Sequence, residues 1–216
     1  MNETEWDKLL KIRTTGRDDS RSDQHCYPYE PTPYSVLERL AGSGLITKKN
    51  VLVDFGCGKG RVDFYLAWQA GCRCMGVEYD ERIWQTALEN QKTAVSGAKT
   101  EFLNRRAEVC PVPDKADRFY FFNPFSAEIL QRVLGRITDS WYEHPRRILL
   151  FFYYPSDDYI SCLMNADQVL FVDEIDCRDL YAGKDSRERI LIFALVPVWL
   201  EDAEQGGLDK GPVPEL

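Results

Sequence analysis

Residues 51–61 read VLVDFGCGKGR. Val51 to Phe55 form an apolar run broken only by Asp54, the pattern of a strand buried on both faces of a parallel sheet. Gly56, Gly58 and Gly60 follow at alternate positions, and glycine combines access to positive φ with close backbone approach. From Arg61 to Ala70 the period changes: Val62, Tyr65, Leu66 and Gln69 share one helical face, and Gly71 closes the helix. A strand, a glycine turn and a helix in that order begin a doubly wound α/β sheet. In such sheets ligands sit beyond the carboxyl ends of the strands, where the strand order reverses. A helix N-terminus beside the turn offers free N–H groups to an anion, so the glycines alone point to a phosphate cradle.

Two acids and an arginine point elsewhere. A dinucleotide fingerprint is G-x-G-x-x-G, its last glycine allowing close helix–strand packing. Here the third glycine arrives one residue early, and the small position falls on Arg61. Asp54 lies on the strand two residues before Gly56, where a carboxylate repels phosphate and attracts a cation such as the ammonium of an amino acid. The next strand ends Gly76-Val-Glu78-Tyr-Asp80. Glu78 follows Gly60 at close to the offset of about 20 residues at which an acid grips ribose hydroxyls. A ribose grip, an acid by the glycines and no pyrophosphate grip suit an adenosyl amino acid.

From Tyr29 to Val196 the chain resembles the class I S-adenosylmethionine-dependent methyltransferases. VLVDFGCGKGR is similar to their first motif, with its D-x-G-x-G-x-G core, and Glu78 matches their ribose-binding acid. The resemblance implies S-adenosyl-L-methionine as cofactor, held by Asp54, Gly56, Gly58, Gly60 and Glu78. After the third strand the family carries an Asp at the adenine. Arg106 stands there in Asn104-Arg-Arg-Ala-Glu108, so the resemblance passes adenine contact to Glu108 or to the backbone of Ala107. Asn123-Pro124-Phe125 is similar to the [DN]-P-P-[YF] loop of methyltransferases that modify amines and amides, with one proline fewer. It implies that Asn123 and Pro124 accept substrate N–H groups, that Phe125 stacks on a planar acceptor, and that Asn123 also borders the cofactor. The segment Tyr29-Glu-Pro-Thr32 resembles the region before the first motif in some protein-lysine methyltransferases. It makes Tyr29 and Thr32 a lid over the methionine end; Thr32, followed by Pro33, is equally a helix N-cap. Similar N-P-F loops with a Y-x-P-T-P segment upstream look like bacterial methyltransferases of unassigned substrate.

The remaining pattern predicts strands at 73–79, 101–104, 118–122 and 148–154, and helices at 33–41, 83–93 and 127–137. Residues 169–176 and 189–196 read as an antiparallel hairpin at the sheet edge, matching the family's last strands. The fold class is therefore α/β, a doubly wound, mostly parallel sheet of seven strands. Residues 1–26 read as a mobile arm, or a flap that orders on binding, with one short helix near Glu5–Ile12. Residues 27–200 form the methyltransferase domain, with 27–45 as its cap segment and helix, and 201–216 a disordered tail.

A formal net charge of −8 disfavours nucleic acid as partner, because phosphate backbones need a basic surface. Seven scattered cysteines without C-x-x-C spacing suggest reduced thiols in the cytoplasm and no metal site. No signal peptide and no membrane-spanning run is visible. His25 and His144 are poorly placed as bases, and Tyr153 and Tyr154 line either the acceptor pocket or the core. The expected partner is a methyl acceptor, small molecule or protein, left unidentified along with the oligomeric state. Two alternatives stay open: a nicotinamide-dependent oxidoreductase, and a non-catalytic interaction module.

Overall fold

The computed structural model of the chain describes residues 1–17, 29–183 and 185–196. One sheet contains β1 (Val51–Phe55), β2 (Arg73–Glu78), β3 (Thr100–Asn104), β4 (Arg118–Phe121), β5 (Leu149–Tyr153), β6 (Val169–Asp176) and β7 (Arg189–Leu195). The order across it is β3-β2-β1-β4-β5-β7-β6. The first five strands of that order run parallel, and β7 lies antiparallel between β5 and β6. The reversal between β1 and β4 sets the carboxyl ends of those two strands side by side, at the switch point where such sheets bind ligands.

Alternate residues of each strand feed two cores. Leu52, Tyr120, Phe151 and Ile192 face α1 (Glu3–Leu10), α2 (Tyr34–Gly42), α3 (Arg61–Gln69) and α4 (Glu81–Thr93). Val53, Phe119, Leu150 and Phe193 face α5 (Ala127–Glu143) and α6 (Asp157–Met164). An aromatic ladder pins the middle of the sheet: Phe55 stacks on Phe121 at 5.5 Å between ring centroids, and Phe121 on Phe152 at 4.7 Å. Such pairs contribute about 0.5–1.5 kcal/mol each beyond their area. They fix the register of β1, β4 and β5 next to Gly56, Asn123 and Tyr154.

The strand predictions agree with the structure to within a residue or so. Two helices differ. α5 continues to Glu143, past the last apolar residue of its stripe, and its C-terminal end is anchored by Trp141 Nε1 donating to the Arg146 carbonyl at 2.8 Å. α6 is an addition to the expected elements, although Ser156 caps it through Tyr159 N–H at 3.2 Å, with Asp157 and Asp158 in its first turn.

Within the expected arm, residues 1–17 lie packed on the domain. Asn2 and Glu5 form a capping box at 2.9 Å in each direction and start α1, which buries Trp6 and Leu10 against the first core. Arg61 anchors the residues on either side of α1. Its guanidinium, 2% exposed, donates from Nε to Thr14 Oγ1 at 2.7 Å, from Nη2 to Thr15 Oγ1 at 3.3 Å and from Nη1 to the Thr32 carbonyl at 3.2 Å. Nη1 also bonds Glu3, Asp7 lies at 3.8 Å, and the group sits 4.3 Å over the Tyr34 ring. Asp7 in turn accepts from Thr14, Thr15 and Tyr34, and these bonds hold its carboxyl below the usual range against the opposing effect of burial. A buried cation with several acceptors is costly to remove, because its acids remain behind unpaired. His25, the first residues of the cap segment and the tail at 201–216 lie outside the described residues.

Arg61→Ala is expected to cost about 3 kcal/mol in urea unfolding. Hydrogen exchange should quicken across residues 3–15 while β1 and β4 stay protected. Unchanged exchange in that segment would show that α1 docks without the arginine.

Candidate functional site

The carboxyl ends of β1, β2 and β4, together with residues 29–32, enclose one cleft. Its turn is shaped by close approaches. A Cβ on Gly56 would lie 2.2 Å from Pro124 Cβ, and one on Gly58 2.2 Å from the Tyr29 ring; both residues have positive φ, +77° and +56°. Any side chain there would be strained twice, by backbone and by contact. Gly60 meets the Phe102 ring in the same way and begins α3. Only Gly56 of the three borders the cleft; Gly58 lies under Tyr29 and Gly60 under Phe102. Gly58 acts instead through its N–H, which donates to Glu78 Oε2 at 3.0 Å.

Asp54, Glu78, Ala107, Glu108, Tyr29 and Thr32 all line the cleft. Asp54 is 3% exposed, and its polar partner among the described residues is the carboxyl of Asp63 behind it. Glu78 accepts Asp80 N–H at 2.8 Å through Oε1 while Oε2 takes Gly58, so its carboxyl plane is fixed from both sides. Burial raises the Glu78 carboxyl, and these N–H bonds offset part of the shift. Ala107 and Glu108 lie in a short 3-10 turn, where Glu108 accepts from Arg106 Nε at 2.8 Å. Arg106, in the family's acid position, also lies 5.4 Å over the Tyr79 ring.

Thr32 is not a helix cap. Pro33 occupies the cap position of α2 without a side-chain bond, and Thr32 Oγ1 pairs with Tyr120 Oη at 3.0 Å. Tyr29 closes the turn, its hydroxyl donating to the Thr14 carbonyl at 2.6 Å and Lys59 Nζ lying 4.6 Å over its ring. Burial drives the Tyr29 phenol far above its ordinary value, so it stays a neutral donor.

Asn123, Pro124 and Phe125 also line the cleft. Asn123 has φ +40° and joins two strand ends: Nδ2 donates to the Tyr154 carbonyl at 2.6 Å and Oδ1 accepts Ser156 N–H at 3.2 Å. Tyr154 itself has φ +50°, a conformation rare for a bulky residue. Phe125 differs from its expected place as a stacking platform: it is 5% exposed and packs edge-on against Phe121 in the second core. Tyr153 and Tyr154 are absent from the cleft lining. Tyr153 is buried and donates to Glu188 at 2.7 Å, and Tyr154 donates to Asp185 at 2.5 Å. The aromatic lining comprises Tyr29, Tyr79, Tyr120 and Phe122, with Phe125 at its edge. Tyr120 was legible in principle, since β4 pairs it directly with Asp54. Arg61 borders the cleft, but its donors are committed to the N-terminal segment, so no basic side chain at the fingerprint position serves a pyrophosphate.

Gly58→Ala is expected to lower stability by about 1–3 kcal/mol and to loosen Tyr29. Gly135→Ala, in α5 with open space around it, should instead be neutral or stabilising by up to about 1 kcal/mol. Thermal melts of the two variants check the contrast, and equal effects would contradict the packing described.

Residues 53–127 match the family described as a methyltransferase domain. A protein-lysine N-methyltransferase of Saccharolobus islandicus is 33% identical over 72 residues, 32% of this chain and 45% of that protein. A histone-lysine N-methyltransferase, H3 lysine-79 specific, of Dictyostelium discoideum is 42% identical over 66 residues, 29% of this chain and 3% of that protein. The chain thus spans less than half the length of these curated relatives. In fold it is similar to an RNA methyltransferase from Salinibacter ruber solved with S-adenosyl-L-homocysteine, with a TM-score of 0.52 at 20% identity, covering 78% of this chain and 97% of that one. No helix among the described residues is long and apolar enough to cross a membrane. Sheet order and glycine turn agree with the matched domain: residues 53–127 carry the methyltransferase-domain match on a fold similar to that of a solved methyltransferase.

Proposed function

We propose that this chain binds S-adenosylmethionine in the cleft and transfers its methyl group to an amine nitrogen, with a protein lysine as the favoured acceptor. The observation that carries the cofactor reading is Asp54: an acid 3% exposed, on the cleft wall, facing another acid rather than a cation. A buried carboxylate calls for an opposite charge, and an amino-acid ammonium supplies one. Glu78, oriented by Gly58 and Asp80, retains lone pairs for ribose hydroxyls. Ala107 and Glu108 border the adenine end, and Tyr29 and Thr32 cover the methionine end.

When bound, S-adenosylmethionine supplies a methyl carbon already activated for displacement. The chain has to hold the acceptor in line and exclude water. Asn123 Oδ1 holds one N–H and keeps a second lone pair. Together with the Pro124 carbonyl it would hold amine hydrogens and leave the nitrogen lone pair directed at the methyl group. Tyr120 and Phe122 supply the aromatic side of the acceptor end. The lysine reading draws on the two similar lysine methyltransferases and on the amine-type N-P-F loop. Free cysteines at 57, 72, 74, 110, 162 and 177 fit a reducing compartment, the cytoplasm.

Asp54→Asn is expected to weaken S-adenosylhomocysteine binding at least about 100-fold in calorimetry, with the circular dichroism spectrum kept. Acceptor class is tested by methyl transfer to a lysine-rich protein before and after chemical acetylation of its lysines. Transfer only to the unmodified protein is expected; equal transfer to both would contradict the lysine assignment.

A further inference from the structure

We propose that Asp63 is a positioning residue that remains protonated in the folded chain and donates a hydrogen bond to Asp54, fixing the Asp54 carboxylate toward the cleft. This inference rests on the reading that Asp54 meets the cofactor ammonium.

Asp63 is the third residue of α3 and is 0% exposed. Neither of its oxygens receives a hydrogen bond from any N–H or O–H among the described residues. Its polar contact is the Asp54 carboxyl, which is otherwise open to the cleft. Two carboxylates in contact cannot both be ionised without a cation between them. The groups facing the pair are Cys57 on the turn, Cys72 and Cys74 at β2, Glu78 at the end of β2 and Tyr120 on β4. None of these is cationic. Lys99 faces Cys72, and the Arg61 guanidinium is bound to Glu3 beside Asp7. One proton shared by the two acids therefore replaces a counter-charge.

The enclosure decides where that proton resides. Asp63 has no route to water, whereas Asp54 borders the cleft, so the anion belongs on Asp54 and the proton on Asp63. A neutral carboxylic acid has one O–H to donate, and the side-chain acceptor beside it among the described residues is Asp54. Burial pushes the Asp63 carboxyl well above its ordinary range, and the Asp54 charge adds to the shift. Burial likewise raises Asp54, and contact with Asp63 offsets part of the rise. A carboxyl raised in the folded state holds its proton more tightly there than in the unfolded chain, so stability falls as pH rises from about 4 through the folded value. Asparagine at position 63 keeps the volume and an N–H donor but removes the proton.

The test compares wild type with Asp63→Asn and Asp63→Leu. Wild type should show the infrared carbonyl band of a protonated carboxyl at neutral pH, and Asp63→Asn should lack it. Between about pH 6 and about pH 9 the wild-type melting temperature should fall relative to Asp63→Asn by about 3 °C or more. Asp63→Asn should bind S-adenosylhomocysteine within about threefold of wild type, and Asp63→Leu about tenfold or more weaker. No such infrared band, parallel melting profiles, or equal binding by Asp63→Leu and wild type would each overturn the proposal. Should Asp63→Leu fail to fold, the asparagine comparison decides. If wild type binds no S-adenosylhomocysteine, the cofactor reading fails, and the infrared and melting measurements still decide the shared proton.

Discussion

Three parts of the chain press on one turn. Pro124 from the loop after β4, Tyr29 from the N-terminal segment and Phe102 from β3 each occupy space that a side chain at Gly56, Gly58 or Gly60 would need. The turn thus acts as the joint of the molecule. It fixes how far the loop after β4 stands from β1, how the N-terminal segment lies over the site, and how α3 meets β2 and β3. The glycines serve the ligand mostly at second hand, by letting these three walls come close enough to form a cleft. Their alternate spacing, which resembles a phosphate cradle, is the spacing at which each glycine turns to a different wall.

Charge distribution gives the cleft its chemical character. The basic group at the turn, Arg61, is drawn away from the cleft toward Glu3, Asp7 and the threonines, where it secures the N-terminal segment. Asp54 and Glu78 stand on the wall with Asp63 behind, while Arg82, Arg105 and Arg106 border the same cleft. The same separation of charge that locks α1 onto the domain leaves Asp54 beside acids rather than beside the guanidinium. Strain gathers just beyond β4 and β5, where Asn123 and Tyr154 both adopt positive φ and are tied to each other through the Asn123 amide.

Much of this was legible in the sequence because it depends on local pattern. The apolar run at 51–55, the glycines, Asp54, Glu78 and the closing hairpin fixed the fold class and the cleft wall, since period and spacing determine which strand ends meet. What escaped was set by contacts distant in sequence. Arg61 reads as an intrusion in a fingerprint until Glu3 and Thr14 are brought beside it. Thr32 reads as a cap until the segment before α2 is laid against Tyr120, whose hydroxyl takes its side chain. Phe125 reads as a stacking ring until its packing on Phe121 draws it into the core, and the arm reads as mobile because Trp6 and Leu10 reveal their core only once α3 stands behind them. The cap of α6 was present in Ser156-Asp-Asp and needed only to be read.

A crystal structure of the chain with S-adenosylhomocysteine tests the central claim most directly. The expected result is the ammonium against Asp54, the ribose hydroxyls on Glu78 and the adenine beside Ala107 and Glu108, with the sulfur facing Asn123. A ligand bound elsewhere, or bound with its amino-acid end away from Asp54, would contradict it.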